Sequence, residues 1–523
     1  MAKADVKSTR PKEQLFILIK SLTKAEKRNF KLYVNRIQSK GDIKFVQLFD
    51  AIDKMEAFDN EQLLKKMRGI SKSQLANLKR HLYKQILISL RLIHIQKNID
   101  IEIREQIDFA RILYGKGLYL QSLRLLDRTK QVAIDNHQDI LHLEILEFQK
   151  LIEERHITRS RTIENKVEDL VEQALKRSAI IHNSCKLSNL KIEIHGFYIQ
   201  FGHVKNAKDT RIVKELFKSR LASINQENLT FFESVYLHQS YVWYYYTLLD
   251  FEQCYEAALK WVRIFHEVPN LIEEEPDLYI RGVHYMLTSL YNLGYLPLFT
   301  QKLKEFEYFE QQHGKQLKPN SKMLTFLYLY LAKLNCHFID GSFEAGLPLV
   351  STINRQLKKF EPLLDVHRFM VFYYKIAYLY FGAEDYGKAI EYLNKVIDLR
   401  TGHLREDIQC YARLMQLLAH FELGHFHLLE YLVQSTYRFL GKVEELNPMQ
   451  LETLRFVKGI INRPNYEHKD ALLQFKQNLE QIIKDPYEQR GFIYLDVLSW
   501  ARSKVENTSL ANIILQKQRK ASD

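Results

Sequence analysis

The 523 residues include 30 Tyr and 30 Phe but only 18 Gly and 10 Pro, which excludes a loop-rich all-β fold and favours long helices joined by short turns. The formal charge is +13, and all of it falls in residues 1–98, where 22 Lys and Arg face 9 Asp and Glu, while residues 99–523 carry 54 of each sign. A cationic head on a neutral body points to two jobs, the head seeking something anionic.

The chain is too long for one compact core, which stops growing near ~250–300 residues, unless it is a repeat array. Its longest uncharged apolar run, Met323–Ala332, has ten residues, against the roughly 20 that a bilayer span needs. A soluble, cytoplasmic protein without a membrane partner is the expectation. Cys185, Cys254, Cys336 and Cys410 lie far apart with no CxxC, so they read as buried apolar thiols, with no metal site and no disulfide framework.

Residues 1–12 are polar and charged and are expected to form a disordered basic tail. Residues 13–98 form a basic helical module. Thr23-Lys-Ala-Glu26 is a capping box opening a helix that buries Phe30, Tyr33, Val34 and Ile37. Asp59 caps a short helix over Glu61–Met67, and Ser71-Lys-Ser-Gln74 is a second capping box starting a long helix from Lys72 to about Gln96. A short helix, a turn at Gly69 and a capped helix follow the order of a helix-turn-helix, although Lys65 and Arg68 stand where that motif wants a small and an apolar residue.

Gln62–Ile99 holds nine Lys and Arg and no carboxylate. On the long helix Leu75, Leu78, Leu82, Ile86, Ser89 and Ile93 form one face. Asn77, Arg80, Lys84 and Arg91 lie near the other, flanked by Lys72 and Lys79. Without intrahelical acids these cations project a positive stripe. A phosphate backbone would neutralise it through counterion release, and so would an acidic protein surface.

From about Ile101, apolar residues recur at helical spacing. Short breaks punctuate the pattern, and an aromatic residue follows each: Tyr119, Phe251, Tyr295, Phe343, Tyr386 and Phe426. The last five are 44, 48, 43 and 40 residues apart, and the 132 residues from Tyr119 to Phe251 leave room for three further steps of 44. This is the signature of a repeat.

In the unit Arg368–Arg400 the first helix offers Tyr373, Ile376, Ala377 and Tyr380, and the second offers Tyr386, Ala389, Leu393 and Val396. This resembles the tetratricopeptide repeat, in which small residues at two positions let paired helices approach closely; Ala377 and Ala389, twelve apart, occupy them. Cys254, Ala258 and Trp261 keep the order around Phe251, as Phe109, Ala110, Leu113 and Ser122 do around Tyr119. The Tyr295 unit departs from it with Lys302 at a normally apolar site. The resemblance implies an all-α superhelix of antiparallel helix pairs over residues 99–506, followed by a polar tail at 507–523. It also implies a concave surface that binds a protein or peptide partner, with Trp243, Tyr244 and Tyr245 as candidate groove residues. Aromatic residues at helical spacing equally fill the space between helices.

No GxxxxGK[ST], GxGxxG, GxSxG or HExxH motif occurs. His420, His425 and His427 near Glu430 lack a Cys or Asp cluster to complete a site, and pairs such as Glu153-Glu154 read as solvated surface. No catalytic residue and no cofactor is expected. The expected function is that of a non-enzymatic adaptor, similar to bacterial regulators that join a helix-turn-helix to a peptide-sensing repeat domain. Its superhelix would hold a protein partner and its head would contact nucleic acid or a ribonucleoprotein. The alternative is a pure protein–protein scaffold whose head docks on an acidic surface.

Overall fold

The computed structural model describes residues 11–37, 44–67, 69–95, 98–156, 165–399, 406–441, 446–461, 463–464 and 467–522. All regular structure among them is helical. The chain divides into two compact units, residues 1–182 and 183–523, and the division falls inside one helix.

In the first unit, α1 (Pro11–Ser21), α2 (Lys24–Ile37), α3 (Lys44–Asp53), α4 (Asn60–Lys66) and α5 (Lys72–His94) enclose their own core. Ile19, Phe30, Phe49, Leu63, Leu82 and Ile86 lie within it. The caps read from sequence are all made. Glu26 N–H donates to the Thr23 hydroxyl at 3.2 Å, Gln74 N–H to the Ser71 hydroxyl at 3.2 Å, and Glu61 N–H to Asp59 Oδ1 at 2.8 Å. Helices α1 and α3 have no such sequence signal, yet they contribute Leu15, Ile19, Phe45 and Phe49 to the core. Residues 1–10 of the expected tail, and Arg68 and Gln96, lie outside the described residues.

Helices α6 (Ile99–Gly115), α7 (Tyr119–Asp135) and α8 (Asp139–His156) form a second cluster around Ile107, Ala110, Leu123 and Ile145. Glu153 of α8, expected at the solvated surface, is buried. The helix α9 (Lys166–Phe201) runs 36 residues without interruption. No break into two helices falls within α9, while the next helix starts at Ala207, two steps of 44 after Tyr119, and position 163 lies outside the described residues.

The second unit continues with α10 (Ala207–Leu221), α11 (Phe231–Thr247), α12 (Phe251–Glu267), α13 (Asn270–Glu274), α14 (Pro276–Leu293), α15 (Leu296–His313) and α16 (Pro319–Asp340). Next come α17 (Phe343–Gly346), α18 (Pro348–Phe360), α19 (Val366–Gly382), α20 (Tyr386–Asp398), α21 (Glu406–Glu422), α22 (Phe426–Leu440), α23 (Pro448–Ile460) and α24 (His468–Ile482). Sequence neighbours pack as pairs, and α14, α16, α19, α21 and α23 also touch in succession. One apolar core runs through α11–α24. This arrangement is compatible with a helical repeat.

Six turns within helix pairs share a backbone device. A residue with positive φ ends the first helix: Gly117, Leu249, Gly294, Gly341, Glu384 or Gly424. In five of them the following N–H donates to the carbonyl five residues back, as in Asp250 to Tyr245 at 3.0 Å and Asp385 to Tyr380 at 3.0 Å. This bond satisfies a carbonyl that the helix end leaves open. The second helix then starts two residues after the left-handed one, at Tyr119, Phe251, Leu296, Phe343, Tyr386 and Phe426.

Leu296, not Tyr295, is thus the landmark of its unit. The one-residue shift removes the Lys302 anomaly: Leu303 takes the apolar site and is buried, while Lys302 reaches Glu305 at 2.8 Å. The small-residue positions twelve apart meet as the repeat pattern requires. Ser122 donates to the Ala110 carbonyl at 2.8 Å, Cys254 to the Val242 carbonyl at 3.5 Å, and Ala377 and Ala389 are both fully buried. Burial pushes the Cys254 thiol up to about 12. Cys185, in contrast to the expectation, is exposed.

The segment expected as a polar tail is helical. After α25 (Gln489–Tyr494) and α26 (Val497–Val505), the helix α27 (Leu510–Ser522) buries Leu510, Ile513 and Ile514 and packs on α16 and α26. An apolar stripe at spacings of three and four, masked by flanking Lys, Arg and Gln, accounts for the difference. The whole end of the chain returns along earlier helices. The Tyr494 ring stacks on Tyr411 with centroids 4.8 Å apart, Trp500 Nε1 donates to Glu422 Oε1 at 2.6 Å, and Thr210 Oγ1 meets the Tyr487 hydroxyl at 3.4 Å.

Candidate binding surfaces

In the head, charge is distributed by what the few acids reach. Asp53 and Asp50 pair with Lys27 and Lys31 on α2, at 2.6 and 2.7 Å. Glu26 meets His94 at 3.2 Å, and Asp59 is spent on its cap. Glu61 stands in the first turn of α4, and from Gln62 to the end of α5 no carboxylate follows. Lys65, Lys66, Lys72, Arg80 and Lys84 are exposed on this stretch and make no ion pair among the described residues. Asn77 is exposed beside them.

Two members of the expected stripe are engaged. Lys79 bends toward α4, where its Nζ bonds Asn60 Oδ1 and lies 4.8 Å from the Phe58 ring centre. Arg91 approaches Asp108 of α6 at 3.6 Å, both side chains remaining more than half exposed. Asn60 and Asp108 are distant in sequence, so the stripe as read from α5 alone includes both cations. Lys65 and Lys66 come from the neighbouring short helix and extend the surface.

The run Trp243-Tyr244-Tyr245 is split by the helical turn. Tyr244 stacks on Phe217 of α10 at 4.0 Å and fills space between helices, while Tyr245 lies along Tyr241 of its own helix at 5.9 Å and is partly buried against the core. Trp243 faces elsewhere: its ring lies 4.1 Å from His195 of α9 and 5.3 Å from Tyr285 of α14. The three do not form one groove wall.

Trp243 instead adjoins a cluster that the sequence does not announce. Arg281 of α14 donates to the Tyr328 hydroxyl at 3.2 Å, His284 stacks on Tyr328 at 3.9 Å with 10° between planes, and the Arg368 guanidinium lies 5.8 Å from the same ring. Lys191 of α9 sits 5.2 Å from the Tyr236 ring. Burial, then Arg368 and Arg281, pulls His284 down to about 3; burial, then Lys191 and Arg281, lowers His195. Both surroundings favour the neutral imidazole. The one signal that could reveal the cluster is register, since Arg281 and Tyr328 both stand thirteen residues before the left-handed glycine that ends their helices.

Further along α19, Lys375 donates to Asn335 Oδ1 at 2.8 Å and lies 4.7 Å from the Tyr291 ring centre. Burial lowers its ammonium to about 8. Tyr374, Tyr378, Tyr494 and Asp496 complete this pocket, so the returning end of the chain covers it. Among the described residues no helix is long and apolar enough to cross a membrane. Compared with known proteins, the chain matches no family model and no curated sequence.

Proposed function

We propose that this chain is a non-enzymatic adaptor. Its α4–α5 surface contacts nucleic acid or a ribonucleoprotein, and its helix pairs, continued as a tetratricopeptide-like superhelix, hold a protein or peptide partner. The observation that carries the reading is the set Lys65, Lys66, Lys72, Arg80 and Lys84, exposed and without ion pairs among the described residues, on a stretch that has no carboxylate of its own. A polyanion gains there from counterion release, and no acid within the stretch competes for the cations.

The test is a salt titration of a fluorescein-labelled duplex DNA and a labelled RNA against the full chain. Log affinity is expected to fall linearly with log salt, and Arg80→Glu with Lys84→Glu to flatten the slope by about 1 for each phosphate no longer neutralised. No binding to either probe at low salt would sink the nucleic-acid reading. The Arg91–Asp108 approach shows this helix meeting a carboxylate, so an acidic protein surface is then the remaining target for the head.

A further inference from the structure

Five helices of the second unit bring like charges together on an aromatic floor. Lys191, Arg281 and Arg368 are all half-buried. Lys191 and Arg281 make no ion pair among the described residues. Among the described residues Arg368 pairs only with Asp365, at a long 3.9 Å, and the other oxygen of that carboxylate accepts from the Arg368 N–H at 2.9 Å as a helix cap. Tyr328 takes one guanidinium on its hydroxyl, a second near its ring and the His284 imidazole stacked on it. Next to this, Trp243 carries His195.

Half-buried cations that repel one another are costly unless something anionic joins them. Two guanidinium forks and an ammonium also offer many donors, of which the protein itself uses few. We infer that this cluster is the site where the second unit binds an oxyanion, a carboxylate or phosphate group carried on an extended acidic peptide. The assignment rests on the reading that the helix pairs hold a protein or peptide partner, and it gives that partner its chemistry. The surroundings favour a local anion over a nucleic acid. Residues 99–523 carry 54 charges of each sign, so this part of the chain has no net positive charge to attract a polyelectrolyte. The aromatic planes give the peptide backbone and side chains apolar area beside the charges.

The experiment is fluorescence anisotropy on the full chain with three labelled peptides: hexaglutamate, hexaglutamine, and a neutral peptide carrying one phosphoserine. Binding of hexaglutamate assigns carboxylate recognition, and binding of the phosphopeptide assigns phosphate. Hexaglutamine is expected not to bind. In the Arg80→Glu with Lys84→Glu background, which removes the head's own affinity for anions, Arg281→Ala and Arg368→Ala are each expected to weaken the acidic peptide about tenfold or more, while Lys304→Ala at an exposed position of α15 leaves it unchanged. If an arginine variant misfolds by circular dichroism, Lys191→Ala serves in its place. A second readout is the proton NMR of His195 and His284, whose imidazoles should titrate at higher pH once the anion is bound.

The inference is overturned if neither acidic peptide binds above hexaglutamine, if the variants bind as tightly as the parent, or if single-stranded DNA displaces the peptide and depends on the same three cations. A neutral peptide binding the second unit with indifference to Arg281 and Arg368 would leave the adaptor reading standing and remove this site alone.

Discussion

The hydroxyl of Tyr374 donates to the carbonyl oxygen of Tyr494 at 2.8 Å, joining residues 120 positions apart. Tyr494 lies against the middle of α19 and the first turns of α21. Removing the hydroxyl leaves a partly buried carbonyl without this donor. Tyr374→Phe is expected to cost about 1 kcal/mol in urea unfolding, with the effect read in the transition of the second unit. An unchanged midpoint would show that the hydrogen bond contributes nothing to stability.

Gly382 ends α19 with the Phe343 ring lying directly where a Cβ would stand. Phe343 is almost completely buried, so its ring has nowhere to retreat. Gly382→Ala is expected to destabilise the protein by about 1–3 kcal/mol through overpacking. A paired Phe343→Leu change should recover part of that stability in the same denaturation measurement.

Glu384 adopts φ +60° in the turn between α19 and α20, where four of the six equivalent turns have glycine. Its side chain is exposed, so the strain has no visible compensation. Glu384→Gly is expected to raise stability by roughly 0.5–1 kcal/mol. A lower melting temperature would contradict this.

Lys375 titrates at about 8 in the folded chain against an ordinary 10.5. Between those values the unfolded chain binds more protons, so stability rises with pH across the window. The contribution is on the order of 1–2 kcal/mol from pH 8 to 10, above which the raised hydroxyls of Tyr374 and Tyr378 act in the opposite sense. Lys375→Met should flatten the rise in melts run from pH 7 to 10.

His142 of α8 is buried, with neither ring nitrogen hydrogen-bonded among the described residues. Burial, then Arg177 and Lys130, lowers it to about 4 from an ordinary 6.5. The folded state resists protonation, so the stability present above pH 6.5 is lost progressively as pH falls toward 4. His142→Leu should keep its hydrogen-exchange protection in α6–α8 at pH 5 better than the parent does.

Local chemistry is legible in the sequence. The capping residues Thr23, Asp59 and Ser71, the breaks before each second helix, and the twelve-residue pairs such as Ala377 and Ala389 all depend on neighbours within a dozen positions. What escapes depends on distant partners. Lys79 falls on the stripe by spacing, yet Asn60 waits for it across a turn, and Asp108 waits for Arg91 on the next helix. Tyr295 is one residue off in register because the backbone counts from the left-handed Gly294 and not from the nearest aromatic ring. Lys191, Arg281 and Arg368 sit on three helices separated by roughly 90 residues each, and only the shared register of Arg281 and Tyr328 hints at their meeting. The helix α27 has the composition of a tail because its three buried residues are sparse among polar ones.

The return of residues 487–518 onto α10, α14, α16, α19 and α21 also changes how the second unit comes apart and together. A row of helix pairs that touch only their neighbours can fray from either end, one pair at a time. Here residues 487–518 fasten pairs that lie far ahead of them in the chain, so the unit closes only once these late helices are in place. Pairings of such long sequence separation slow folding. In exchange, loosening the final helices withdraws support from five others at once, and the row behaves as a single cooperative body instead of a string of independent links.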